Sequence, residues 1–120
     1  MAETAETLAV VDRHWLALTT GDLAALMADY AEDAVLITGA TGITKGRAAI
    51  RELLAMFAGA ILPAASTRFV LAQTLAEGAL GLIVWSAESP THRIGFASDT
   101  FVVVNGRIAH QTSAGVVEAR

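Results

Sequence analysis

Apolar residues along this chain follow two different rhythms. Up to about residue 58 they recur every three or four positions, and from residue 67 they alternate with smaller or polar ones. Leu8, Val11, Trp15 and Leu18 keep helical spacing and predict a helix over residues 4–19. Glu3, Glu6 and Asp12 complement the positive end of its dipole. Gly21 stands where a helix stops, and Asp22 is placed to cap a second helix, Leu23 to Tyr30. Residues 34–38 read as a short buried strand, and 39–46, with glycines at 39, 42 and 46, as a loop. A third helix is expected over 46–58. Ile50, Leu53, Leu54 and Phe57 form its buried stripe, Arg47 and Arg51 lie outside it, and Gly59 and Pro63 end it.

Residues 67–76, 79–88, 92–104 and 107–116 have strand character, separated by Glu77-Gly78, Ser89-Pro90-Thr91 and Asn105-Gly106. Asn-Gly between two apolar stretches is a strong hairpin signal. Helices followed by an antiparallel meander predict one α+β domain over residues 1–120, its helices packed on one face of a curved antiparallel sheet. Alternation divides each strand into two faces. Leu80, Leu82, Val84 and Ser86 share one face of their strand, and Gly81, Ile83 and Trp85 the other. Ala97, Asp99, Phe101 and Val103 lie together, as do Gln111 and Ser113.

Composition narrows the function classes. The chain has 120 residues, 54% of them hydrophobic and 17% charged, which excludes a disordered segment. No apolar run reaches the ~20 residues of a membrane-spanning helix. The net charge of −4, with basic residues scattered singly, argues against nucleic acid as a partner. Cysteine is absent, so thiolate chemistry and disulfides are excluded. His14, His92 and His110 show no metal-ligand spacing, so neither a metal nor another cofactor is expected. Residues 1–7 are acidic and lack the basic start and apolar centre of a signal peptide, which makes a cytoplasmic location the default expectation.

Several segments carry a family resemblance: Val10-Val11-Asp12-Arg13-His14 through Thr20-Gly21-Asp22-Leu23, then Tyr30-Ala31-Glu32-Asp33-Ala34 and Gly46-Arg47-Ala48-Ala49-Ile50-Arg51. Ser98-Asp99-Thr100-Phe101 and Asn105-Gly106-Arg107-Ile108 complete it. With these, the chain resembles the NTF2-like superfamily, and within it the polyketide-cyclase-like (SnoaL-like) and ketosteroid-isomerase-like groups. The resemblance implies a cone with an apolar pocket, the Asp99 and Gln111 faces turned inward, and Ile83 and Trp85 turned outward onto a second subunit. The ketosteroid isomerases use an Asp base, with a Tyr and a protonated Asp as donors to the enolate oxygen. Asp99 falls on the protonated Asp, His14 on the Tyr and Thr38 on the base, so one position of the three matches. Threonine has no pKa suited to taking a carbon-bound proton, and the steroid isomerase reaction is not expected.

The candidate catalytic residues are therefore Asp99 and His14, as an acid/base or hydrogen-bonding pair. Tyr30, Thr38, Leu53, Phe57, Leu82, Val84, Phe101 and Gln111 are the candidate ligand-binding residues. Two readings of each remain open. Asp99 is a cavity carboxylate or a strand residue in water or beside an arginine, and His14 is a pocket residue or a satisfied core histidine. Asp99 is expected to titrate above an ordinary Asp, because burial disfavours its charge. At the level of the whole chain, three functions stay open. One is a cofactor-independent isomerase, dehydratase, cyclase or hydrolase acting on a small apolar carbonyl or hydroxyl compound. The others are a non-catalytic pocket for a hydrophobic ligand and a module that works by dimerising. A homodimer through Ile83, Trp85 and the His110 side of the sheet is expected, because so apolar a chain has surface to hide.

Overall fold

The structure is a computed structural model and describes residues 3–120. The expectation for the N-terminal leader falls partly on Met1 and Ala2, outside the described residues. The order of elements is α1 (Thr4–Thr20), α2 (Leu23–Ala28), β1 (Tyr30–Thr38), β2 (Gly42–Lys45), α3 (Arg47–Ala60), a 3-10 turn at Ala64–Ser66, β3 (Arg68–Glu77), β4 (Leu80–Glu88), β5 (His92–Val104) and β6 (Arg107–Ala119). Three helices pack on a six-stranded curved sheet of order β2-β1-β6-β5-β4-β3, the α+β arrangement expected. Asn105 and Gly106 both take positive φ, 52° and 74°, the conformation that a two-residue hairpin between β5 and β6 requires.

Three local expectations are corrected. Tyr30 opens β1 instead of closing α2, which stops at Asp29. Segment 39–46 is not a plain loop, since Gly42–Lys45 pairs antiparallel with Val35–Thr38. Its turn is closed by Thr38, whose Oγ1 accepts the Thr41 amide at 2.9 Å. The sheet is also not antiparallel throughout: β1 runs parallel to β6. Everything from β2 to β5 lies between those two strands in the chain, and only such a long connection lets two strands pair in parallel.

Helix α1 is rotated from the expected stripe. It buries Thr7, Val10, Val11, His14 and Ala17, while Leu8, Trp15 and Leu18 are half-buried. Gly81 of β4 explains the seat. A Cβ there would stand 3.0 Å from Val11 Cγ2 and 3.2 Å from Thr7 Cγ2, so the missing side chain lets the helix lie directly on the strand. Thr7 Oγ1 also donates to the Gly78 carbonyl at 2.6 Å, and Thr4 Oγ1 accepts the Gly78 amide at 2.9 Å. Those bonds tie the start of α1 to the β3–β4 turn. Gly81→Val is expected to overpack this contact and lower stability by about 1–3 kcal/mol. Urea denaturation checks it, and an unchanged midpoint would count against the close approach.

The two faces of β4 are exchanged relative to expectation. Ile83 pairs opposite Asp99 and Trp85 opposite Ala97, and residues directly opposite one another share a face. Gly81, Ile83, Trp85 and Ala87 therefore point to the helices and are buried. Leu82 and Val84 point to the outer side of the sheet and cannot line the interior with Asp99. Helix α3 is 14 residues long. The helical stretch that continues it to Ser66 reaches a mean hydropathy of 1.5, but Pro63 interrupts it. As a helix, α3 is shorter than the ~20 residues that cross a bilayer.

Candidate functional site

Strand register places the polar residues of the interior. One row across the sheet runs Thr38, Ser113, Asp99, Ile83 and the next runs Leu36, Gln111, Phe101, Gly81. Asp99 thus stands mid-sheet between Ser113 and Ile83, and only 7% of it is exposed. Its Oδ1 accepts from Trp85 Nε1 at 3.0 Å and from Ser113 Oγ at 3.1 Å. Its Oδ2 accepts from Gln111 Nε2 at 2.8 Å. The other end of the Gln111 amide, Oε1, accepts a hydrogen bond from the Tyr30 hydroxyl.

Among the described residues no arginine or lysine is paired with Asp99. Its charge is held by three neutral donors alone, and burial pushes the carboxyl above the usual range while those bonds pull it back. Tyr30 is fully buried. Burial, and after it the negative charges of Asp99 and Asp29, raise its hydroxyl well above an ordinary tyrosine, so it stays protonated. Asp29 itself is paired with Arg13 at 3.2 Å.

His14 comes from the buried face of α1, in the middle of the packed stripe. Its ring lies edge-on to Phe101 at 5.0 Å and to Tyr30 at 5.7 Å. Burial lowers its pKa to about 4, so the imidazole is neutral at pH 7. Its Nδ1 is buried without a hydrogen-bond partner, alone in this among the side-chain atoms of the described residues. His14 and Asp99 share no hydrogen bond, so the direct acid/base pair expected from sequence is not formed.

The remaining candidates separate. Tyr30, Phe101 and Gln111 gather beside His14 and Asp99. Leu53 and Phe57 of α3 are half-buried against the core. Thr38 shares the inward row but spends its hydroxyl on Thr41 in the β1–β2 turn. Leu82 and Val84 are excluded by their outward facing. Two residues that matter were missed, Trp85 and Ser113. Both become legible once β4 and β6 are set in register with Asp99. Trp85 is also part of an aromatic chain, edge-on to Trp15 at 5.7 Å, which in turn meets Phe69 at 5.9 Å.

Two depressions, of about 210 and 440 Å³, lie near the 93–96 end of the sheet. Arg68, Ser86, Glu88 and Arg93 line the first, and Phe96, Gly115 and Val116 the second. Neither touches Asp99 or His14. Around those residues the rings of His14, Tyr30 and Phe101 pack against one another. Among the described residues no three metal-ligating side chains cluster.

Against known proteins, the SnoaL-like domain family matches residues 11–111. The chain belongs to the SnoaL-like family. This SnoaL-like protein has the fold of a candidate ketosteroid isomerase from Kribbella flavida, with TM-score 0.83 and 19% identity over 100% of this chain and 84% of that one. It is likewise similar to an LEH-like epoxide hydrolase from M. tuberculosis, with TM-score 0.77 and 20% identity over 94% and 84% of the two chains. A candidate polyketide cyclase from Sinorhizobium meliloti gives TM-score 0.72 and 20% identity over 87% and 92%. At these identities the likeness is one of fold, and a fold hosts many chemistries. No curated protein matches the SnoaL-like chain by sequence.

Proposed function

We propose that the chain is a cofactor-independent enzyme acting on a small apolar carbonyl or hydroxyl compound, with Asp99 as the group that takes and returns a proton. The observation that carries this is a buried carboxylate held by three neutral donors and no cation. Three bonds fill three of the roughly four acceptor positions of a carboxylate. The fourth, on Oδ2, is open to a proton. A buried carboxyl raised above the usual range is suited to acid/base work. Isomerisation, dehydration, cyclisation and hydrolysis all use such a group. His14, neutral and with an unpaired Nδ1, serves as the acceptor for a substrate's hydroxyl. The half-buried side chains of Trp15 and Leu18 on α1 and of Leu53, Leu54 and Phe57 on α3 pack against this core and would have to part to admit a substrate.

Exchange of the α-protons of a cyclic enone such as cyclohexenone in D2O, followed by NMR, tests this. Wild type should exchange them faster than buffer, and Asp99→Asn should lose about 10²–10⁴-fold of the excess. Wild type without exchange activity, or Asp99→Asn with all of it, would sink the catalytic role. A second reading, non-catalytic binding of an apolar ligand, draws on Thr38 at the base position. It predicts perturbed resonances around His14 and Asp99 with no exchange.

Homodimerisation through the outer face of the sheet belongs to the same proposal. That face carries Val70, Leu75, Leu80, Leu82 and Val84, with Leu80 52% exposed. His110 lies on the same side, opposite Val102. Ile83 and Trp85, being buried inside, take no part. Light scattering at micromolar concentration should give about twice 12.5 kDa, and Leu80→Lys with Leu82→Lys should halve it. A wild-type monomer would refute the dimer.

A further inference from the structure

This inference rests on the reading of Asp99 as the proton-accepting group. We propose that Asp99 and His14, which share no hydrogen bond, are coupled through Gln111 and Tyr30 by a chain of hydrogen bonds that reverses direction when Asp99 takes up a proton.

The argument is an inventory of donors and acceptors. In the arrangement seen, Tyr30 donates to Gln111 Oε1 and Gln111 Nε2 donates to Asp99 Oδ2. Both positions on Oδ1 are taken, one by an indole N–H that can only donate. Oδ2, with one bond, is the oxygen that can take a proton without any existing bond being broken. A carboxylic acid then has an O–H to place, and that hydroxyl can swing about its C–O bond toward Gln111. The amide meets it by exchanging ends, a half-turn that leaves the side chain's shape unchanged. Asp99 now donates to Oε1, and Nε2 faces the Tyr30 oxygen, which a phenol can accept.

The reversal frees the Tyr30 O–H, and a buried donor needs a new acceptor. His14 supplies it. Its ring packs edge-on against Tyr30 at 5.7 Å, and its Nδ1 is buried and unpartnered. No proton travels along the chain. Asp99 keeps the one it gained, Tyr30 keeps its own, and only the hydrogen bonds change direction. Gln111 and Tyr30 are thus positioning residues that let His14 sense the state of Asp99.

The surroundings are free of strong competitors. Besides His14 from α1 and Tyr30 from β1, the charged groups at hand are Asp29, paired with Arg13, and Arg47 of α3, whose Nη1 donates to the Tyr30 carbonyl at 3.4 Å. The residues of β4 and β6 in contact with Asp99 are neutral.

Side-chain NMR of the ligand-free full chain tests this. Wild type is compared above and below the Asp99 midpoint, and with Asp99→Asn. In that variant Trp85 and Ser113 hold the new carbonyl at the Oδ1 position, so its NH2 faces Gln111 and stands in for the protonated acid. With Asp99 ionised, the Gln111 NH2 protons should show cross-relaxation to the Trp85 indole proton. With Asp99 protonated, and in Asp99→Asn, they should show it to the Tyr30 ring instead, and the His14 Nδ1 resonance should shift as for an accepted hydrogen bond. Gln111→Leu should abolish the response of His14 to Asp99. The coupling is overturned by a Gln111 amide facing one way under all three conditions. It is also overturned by an unresponsive His14 nitrogen, or by a response that survives Gln111→Leu. No ligand or turnover enters this test, so its failure is distinct from a failure of the exchange assay.

Discussion

Asp99→Ala should lower stability by about 3–5 kcal/mol, while Asp99→Asn stays within about 1 kcal/mol of wild type at neutral pH. Alanine removes the acceptor from three donors at once: the Trp85 indole, the Gln111 amide and the Ser113 hydroxyl. An orphaned buried donor costs about 1–3 kcal/mol. Ser113 is only half-buried and can turn to water, so two donors carry most of the loss. Asparagine keeps an acceptor for Trp85 and Ser113 and fills the same volume. The sign of the pH dependence follows from the raised carboxyl. The native state holds its proton more tightly than the unfolded chain. Wild type therefore loses stability as pH rises from the unfolded carboxyl range through the native value, and Asp99→Asn lacks that decline. Urea denaturation of both variants at pH 4.5 and 7.5 checks these outcomes. An alanine variant no weaker than the asparagine one would show that the three bonds hold little.

His14 pulls the other way. Its native pKa of about 4 lies below the ordinary 6.5, so the unfolded chain binds protons more tightly than the folded one. The neutral histidine's contribution is fully present above pH 6.5 and is lost as pH falls toward 4, by roughly 3 kcal/mol. His14→Phe should remove this acid sensitivity while keeping a ring edge-on to Tyr30 and Phe101. The check is the denaturation midpoint of wild type and variant between pH 4 and 7. Equal acid slopes in the two would mean that His14 protonates without cost. Because the Asp99 and His14 slopes oppose each other, wild type alone shows only their difference.

The helices and the meander were readable because their periods differ, and the Asn105-Gly106 turn because two positive φ angles call for those residues. Strand β2 was not. Four residues, Gly42 to Lys45, show no alternation, and only pairing with β1 makes them a strand. The buried alternation of Asp99 with Ala97, Phe101 and Val103 was legible within β5 itself. The face of β4 was not, since both of its faces are apolar and the choice depends on which residue lies opposite Asp99. That ambiguity misplaced Leu82, Val84, Ile83 and Trp85 together and hid the indole that holds the carboxylate. Gly81 added to it, because an inward glycine looks like a gap until α1 is seated on it. The side-chain chain from Tyr30 through Gln111 to Asp99 joins residues 81 and 12 positions apart in sequence, a distance over which no local pattern speaks.

The aromatic chain beside Asp99 has an optical consequence. The protein has two tryptophans, Trp15 and Trp85, and they lie edge-on to each other with one indole N–H bound to the Asp99 carboxylate. All tryptophan emission therefore originates at the candidate site. Protonating the carboxylate withdraws a negative charge from the Trp85 ring, and a guest parting the half-buried side chains would change the polarity around Trp15. Fluorescence of the unlabelled protein thus reports the ionisation and occupancy of this one region, with no contribution from elsewhere in the molecule, and Trp15→Phe leaves Trp85 as a single native probe of Asp99.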